Sequence, residues 1–266
     1  MERRGDISMV FRLPLEPPRP EKTANESLMS DLPSLRGPIL EPASGGAAQQ
    51  LVILCHGVGS DGQDLIDLAR YYQKVLPDAK FISPDAPFAY DMAPSGYQWF
   101  SLQDMSPGAH LAGAQQAAPI LDDFIDAQLA GNGLTESELA LVGFSQGTMM
   151  ALHAGLRRPR PPAAIIGFSG SLVAPELLAS EASARPPVLL IHGDRDETVP
   201  FEQGARLYRD APRRKEFLAV GGASHTESLF ADKGRYIERV IRFEQRCFLG
   251  WVENDLPLSH RDQTVL

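Results

Sequence analysis

The stretch Leu139-Ala-Leu-Val-Gly-Phe-Ser-Gln-Gly-Thr-Met-Met-Ala-Leu152 decides the fold of this chain. It reads as an apolar strand, a Gly-x-Ser-x-Gly turn at Gly143, Ser145 and Gly147, and an apolar helix. A serine hydroxyl is a poor nucleophile until something displays it and removes its proton. A sharp strand-to-helix turn supplies the display. The two glycines let the backbone fold back on itself, so the Ser145 hydroxyl stands clear of the sheet. The helix that follows points its first amides at the place where an oxyanion would form. The same five residues in a loop would be an ordinary tight turn; the strand before and the helix after them argue otherwise.

Working outward, strands and helices alternate. Upstream, Leu51-Val-Ile-Leu-Cys55 is an unbroken apolar run and predicts a fully buried strand. Leu65, Leu68, Ala69, Tyr72 and Leu76 recur at helical spacing, with Pro77 as the stop. Lys80–Ser83 predicts a short strand, and a long loop runs from Phe88 to Gly108. An amphipathic helix is expected over Ala109–Leu129, ended by Gly131-Asn-Gly133. Downstream, Pro159 closes the helix after Ser145. Ala163–Phe168 and Val188–Ile191 read as strands, Phe201–Asp210 as a helix, Glu216–Val220 as the last strand, and Glu227–Phe248 as a terminal helix. This βαβα order predicts the α/β class: a mostly parallel, twisted sheet with helices on both faces. Residues 1–36 mix Pro, Arg and Glu without an apolar period. They are read as a flexible extension, with Met9–Leu13 a candidate edge strand. Residues 37–250 are expected to form the catalytic domain and residues 251–266 a polar tail.

In such sheets, reactive groups gather beyond the carboxyl ends of the strands. Three of these ends carry what serine chemistry needs. They are Ser145, the loop His192-Gly-Asp-Arg-Asp-Glu-Thr-Val-Pro200, and the loop Gly221-Gly-Ala-Ser-His225. His225 would take the Ser145 proton and return it to the leaving group. Asp196 would orient the ring and stabilise the imidazolium, with Asp194 as its competitor. Asp196 is favoured because Thr198-Val-Pro200 turns back into a helix and leaves it at the loop tip, whereas Asp194 is better placed to bond backbone amides. His153 on the apolar helix reads as packing, and His192 as a partner for backbone groups. His110 lies near a helix start and His260 in the tail. For the oxyanion, the Gln146 amide is one candidate donor. The loop His56-Gly-Val-Gly59 offers the amide of Val58 as the other, although its glycines would serve a plain tight turn equally well. Tyr97, Trp99 and Phe100 are candidates for an acyl-binding wall, the alternative being aromatics that pin a loose loop.

Composition limits the partners. The chain has 266 residues, 43% hydrophobic and 22% charged, enough for one full core. Its formal net charge of -9 argues against nucleic acid and anionic membranes. Cys55 and Cys247 are too far apart in the chain to suggest a disulfide framework or a metal site, so neither a metal nor any other cofactor is expected. No run is long and apolar enough to span a bilayer and no signal peptide is visible, which makes a cytoplasmic protein the default. A homodimer is left open.

The motifs Cys55-His-Gly-Val-Gly-Ser-Asp-Gly62, Asp91-Met-Ala-Pro94, Gly96-Tyr-Gln-Trp-Phe100 and Gly143-Phe-Ser-Gln-Gly147 together resemble the phospholipase/carboxylesterase group of α/β-hydrolases, which includes bacterial carboxylesterases and acyl-protein thioesterases. The resemblance covers about Leu35 to Phe248. It implies an α/β-hydrolase fold and a serine hydrolase of carboxylic esters or thioesters. Ser145, Asp196 and His225 match the family's triad, and Val58 and Gln146 its oxyanion donors. Between the strands at Ala163–Phe168 and Val188–Ile191, only residues 169–187 are available, so no large lid domain is expected. A shallow cleft for small, soluble short- to medium-chain acyl esters follows. A thioesterase or lysophospholipase-type deacylase would share every one of these residues. A non-catalytic binding module on the same scaffold would lack a triad member, and this chain lacks none.

Overall fold

Leucine and β-branched residues in short runs, separated by amphipathic segments, build a layered α/β structure. The computed structural model describes residues 34–210, 214–227 and 235–249. Met9–Leu13, nearly all of the expected 1–36 extension, residues 228–234 of the expected terminal helix, and the tail with His260 lie outside the described residues.

The first half contains β1 (Ile39–Leu40), β2 (Gln50–Cys55), α1 (Gly62–Tyr72), β3 (Ala79–Ile82), β4 (Phe88–Ala89), β5 (Tyr97–Gln98) and α2 (Pro107–Asn132). The second contains β6 (Leu139–Phe144), α3 (Gln146–Gly155), β7 (Ala164–Phe168), α4 (Leu178–Glu181), β8 (Val188–Gly193), α5 (Phe201–Asp210), β9 (Lys215–Val220) and α6 (Arg235–Leu249). Seven strands form one sheet in the order β1-β3-β2-β6-β7-β8-β9. Only β1 runs antiparallel, pairing Ile39 with Ile82. The chain adds β3 on one side of β2 and then crosses to place β6 on the other, with Cys55 opposite Gly143. That change of direction is a topological switch point, where the ends of two neighbouring strands diverge and leave a crevice. Both the serine turn and the His56–Gly59 loop start there.

Side chains alternate across the sheet. Val52, Leu54, Val142, Ile166, Leu189 and Ile191 point to one face, into a core shared with Leu65 and Ala69 of α1 and Val240 and Phe243 of α6. On the other face α3 lies so close that a Cβ on Gly155 would sit 2.7 Å from Ile165 and 2.9 Å from Leu141. The two-sided cover explains why the strands read as continuous apolar runs. Behind α3, the buried Arg158 guanidinium bonds Asp122 and Asp126 of α2, at 2.9 and 2.5 Å, and Glu136 at 3.3 Å. A charge removed from water in this way holds because three carboxylates face its two terminal nitrogens.

Local chemistry sets the ends. The Ser106 side chain accepts from Ala109 N, and Pro107 fills the first turn, so α2 starts earlier than its apolar period suggests. It runs on to Asn132 and stops at Gly133, which adopts the left-handed φ of 67°. Two elements differ from the sequence reading. The short edge strand β1 has no apolar period to announce it. The loop from Phe88 to Gly108 contains the β4–β5 hairpin, with Phe88 opposite Gln98 and Ala89 opposite Tyr97. Between β7 and β8 the chain makes only a 3₁₀ turn at Pro175–Leu177 and the single turn of α4.

Candidate active site

Ser145 caps α3 with φ 53° and ψ -117°, a conformation that L-residues avoid. The surrounding backbone enforces it. A Cβ on Gly143 would fall 2.5 Å from Gly147 backbone atoms, and one on Gly147 only 1.9 Å from Cys55 O. Glycine at both positions is therefore a steric requirement. Thr148 secures the turn, its hydroxyl lying 2.7 Å from Gly143 O and 2.9 Å from Phe168 O.

The structure brings the three sequence-identified residues together. His225 Nε2 lies 2.9 Å from Ser145 Oγ, and its Nδ1 lies 2.8 Å from Asp196 Oδ2 and 3.0 Å from Oδ1. A ring nitrogen facing a carboxylate carries the proton, which leaves Nε2 as the acceptor toward the serine. The His225 ring packs against Phe144, with centroids 5.1 Å apart. Asp196 has a fully buried side chain. Its Oδ1 also accepts from Thr198 N at 3.0 Å and Val199 N at 2.8 Å, a turn at the loop tip. Asp194 lies elsewhere: its Oδ1 accepts from Gly222 N at 2.6 Å and ties the β8 loop to the β9 loop.

The His56–Gly59 loop is fixed from several sides. His56 donates through Nδ1 to Gly57 O at 2.7 Å, and its Nε2 accepts from Ala86 N at 2.9 Å, which defines one neutral tautomer. Burial lowers the affinity of this ring for a second proton, against the hydrogen bond to Gly57 and the charges of Asp85, Asp61 and Asp64. Gly59 N donates to Tyr97 O at 2.8 Å and Ser60 N to Gly57 O at 3.3 Å. Val58 follows Gly57, where a Cβ would lie 3.4 Å from Ser145 Cβ, so its amide starts beside the nucleophile. Gln146 supplies the first amide of α3, one of the helix N–H groups with no partner inside the helix.

The aromatic residues separate into different roles. Trp99 is fully buried, and its indole N–H donates to His56 O at 3.0 Å. An indole with no exposed surface cannot meet an acyl chain, so the expectation of a Trp99 wall is corrected: it pins the loop. Phe100 is 2% exposed and packs against His110, with centroids 5.7 Å apart. It borders a separate surface hollow beside Gln103 and Gly113. Tyr97 is half-exposed on β5. None of the three lines the groove that begins at Met149. That groove, about 440 Å³, runs between Met149, one helical turn after Ser145, and Met105, Leu172, Val173, Val199 and Leu207, with His110, Gln203 and Arg206 as polar neighbours.

Sequence reasoning missed several supporting groups. The Gln146 side chain, 1% exposed, accepts from Trp99 N at 2.9 Å and donates to Phe100 O at 2.8 Å, clamping the long loop onto the nucleophile turn. Ser169, at the carboxyl end of β7, has φ 48° and donates its hydroxyl to His225 O at 2.9 Å. Its place at a strand end was the available signal; nothing in the sequence marked the Gln146 side chain. His192 bonds a backbone carbonyl as expected, but it also reaches Asp196. Cys55 is an unexposed core thiol, its pKa pushed up to about 12 by burial. Among the described residues, no group of three or more His, Cys, Asp or Glu gathers as metal ligands would. Nor is any helix long and apolar enough to cross a membrane.

A parallel sheet with a strained serine between β6 and α3, faced by histidine and aspartate from later strand ends, defines an α/β-hydrolase. The comparisons make this specific. Residues 41–228 match the family model described as Phospholipase/Carboxylesterase, and the chain belongs to that family. Esterase YpfH of Escherichia coli (strain K12) is 27% identical over 219 residues, covering 82% of this chain and 88% of its own. Acyl-protein thioesterase 1 of Kluyveromyces lactis is 27% identical over 199 residues, 68% of this chain and 87% of its own. The crystal structure of esterase PE8 superposes with a TM-score of 0.74 at 42% identity, covering 80% of this chain and 99% of that one. The chain is thus a hydrolase of the carboxylesterase type.

Proposed function

We propose that this protein hydrolyses short- to medium-chain carboxylic esters through an acyl-enzyme on Ser145, with His225 as the general base and the Asp196 carboxylate as its orienting partner. The observation that carries this reading is the His225 ring, spanning 2.9 Å to Ser145 Oγ and 2.8 Å to Asp196 Oδ2. In the first step Ser145 Oγ bonds to the acyl carbon while His225 Nε2 takes its proton. The carbonyl oxygen becomes an oxyanion facing the amides of Val58 and Gln146, donors that need no reorganisation. The tetrahedral intermediate collapses, and His225 passes its proton to the leaving alcohol. Water, deprotonated by the same imidazole, then releases the acid and restores the serine.

The acyl group occupies the groove that begins at Met149. Its apolar side chains suit a hydrocarbon chain, and the short β7–β8 connection leaves its mouth open. Labelling with a fluorophosphonate followed by mass spectrometry of the modified peptide tests the nucleophile. The adduct is expected on Ser145 and is absent in Ser145→Ala; an adduct elsewhere refutes the assignment. A panel of p-nitrophenyl esters set beside acyl-thioesters of equal chain length reads the leaving-group and chain-length preference.

A further inference from the structure

We infer that His192 is a positioning residue for this site: as a neutral Nε2–H donor to Val199 O it closes the turn whose amides hold the Asp196 carboxylate in the orientation that meets His225. The inference rests on the triad reading above. His192 ends β8, is 2% exposed, and places Nε2 2.8 Å from Val199 O and 3.3 Å from Asp196 Oδ2. A carbonyl oxygen has no hydrogen to give, so the nitrogen between these two oxygens must carry one. That proton closes the 196–199 turn, whose Thr198 and Val199 amides hold Asp196 Oδ1, while the same nitrogen faces Asp196 Oδ2 at 3.3 Å.

The ring has no freedom to leave. Phe201 meets it edge-on, with centroids 6.0 Å apart at 85°. On the α5 side, a Cβ on Gly204 would lie 2.5 Å from Nδ1, so the helix approaches the imidazole at a residue without a side chain. The charged groups acting on it are Asp196, His225 and Glu202. Burial, the largest influence, holds its pKa below the usual imidazole value, and His225 lowers it further. The Val199 hydrogen bond, Asp196 and Glu202 act in the opposite direction. A neutral ring places no second cation beside the base.

Asp196 thus bonds His225 through Oδ2, which also faces the His192 N–H at 3.3 Å, and shares Oδ1 between His225 and two backbone amides. Loss of the His192 donor loosens the turn that fixes the carboxylate, and removes the N–H dipole facing Oδ2 so that more of its charge acts on His225. Both effects can be read out. His192→Phe keeps a ring in place but removes the donor. It is expected to lower kcat about tenfold with KM within about twofold, and to raise the pH of half-maximal kcat/KM on the acid limb by about half a unit. His192→Gln, whose amide nitrogen reaches the Nε2 position, is expected to recover most of both. An unchanged acid limb in His192→Phe, with fluorophosphonate labelling at Ser145 intact, overturns the inference while leaving the triad standing. Loss of labelling in the wild-type protein overturns the triad reading instead. A measurement on the wild type covers the case in which His192→Phe does not fold. Imidazole ¹⁵N resonances should show His192 as the Nε2–H tautomer at neutral pH, and an Nδ1–H tautomer would overturn the inference.

Discussion

Glu244 gives the sharpest test of how burial controls this molecule. It sits in α6 between the fully buried Phe243 and the half-buried Cys247, is itself fully buried, and neither carboxyl oxygen has a hydrogen-bond partner among the described residues. Burial pushes its pKa up to about 8. In the unfolded chain the same group ionises at an ordinary carboxylate value near 4.3. Between these values the folded state binds a proton that the unfolded state has released, so stability falls as pH rises. The slope is about 1.4 kcal/mol per pH unit, or about 4 kcal/mol between pH 5 and pH 8, and it flattens above pH 8. Glu244→Gln has nothing to titrate and should lack this contribution. Urea denaturation of both proteins at several pH values measures it: the two stability curves should diverge by several kcal/mol as pH rises. Parallel curves from pH 5 to pH 8 would mean that Glu244 folds as a paired carboxylate, and the argument from its burial would be wrong. Glu244→Met, of similar length and without a polar head, should exceed the wild type in stability throughout that range.

The remaining expectations concern the site. Gly147→Ala places a methyl group 1.9 Å from Cys55 O, so it should cost about 4 kcal/mol or more in denaturation and abolish turnover. Ser145→Ala should reduce kcat by about four orders of magnitude or more while leaving thermal stability nearly unchanged, since alanine keeps the same Cβ and the same backbone strain. Gln146→Ala keeps its backbone amide but frees Trp99 N and Phe100 O; a stability loss of about 2 kcal/mol is expected, and a change under about 0.5 kcal/mol would show the clamp to be unimportant. With esters of increasing chain length, rates should vary smoothly across the micelle threshold, because no large lid has to open; an abrupt jump there would contradict an open groove.

The main strands, the parallel class of the sheet and the strand ends that bring Ser145, Asp196 and His225 together were legible because each rests on a local pattern. Unbroken apolar runs marked β2, β6, β7 and β8, and Gly143, Ser145 and Gly147 marked the turn. The choice between Asp194 and Asp196 was also local, since a loop tip and a strand-proximal position differ in what they reach. What escaped depended on segments distant in the chain. Trp99 resembled a substrate-facing aromatic in sequence, and only the meeting of its loop with His56 O buried it. The Gln146 side chain was overlooked because its partners lie 46 and 47 residues away. The two residues of β1 carry no periodicity; they become a strand only because β3 offers an edge.

The near-contact of Gly147 with Cys55 O, and of Gly57 with the Phe144 ring, has a consequence for how such a protein can diversify. The turn bearing the serine and the loop opposite it are interlocked parts, in which almost any added atom jams both. The walls of the groove, drawn from residues 171–176 and from Gln203, Arg206 and Leu207, contain no glycine held by such a close approach. Substrate range can therefore drift through these walls while the reactive machinery stays unaltered, and a library aimed at new esters belongs there.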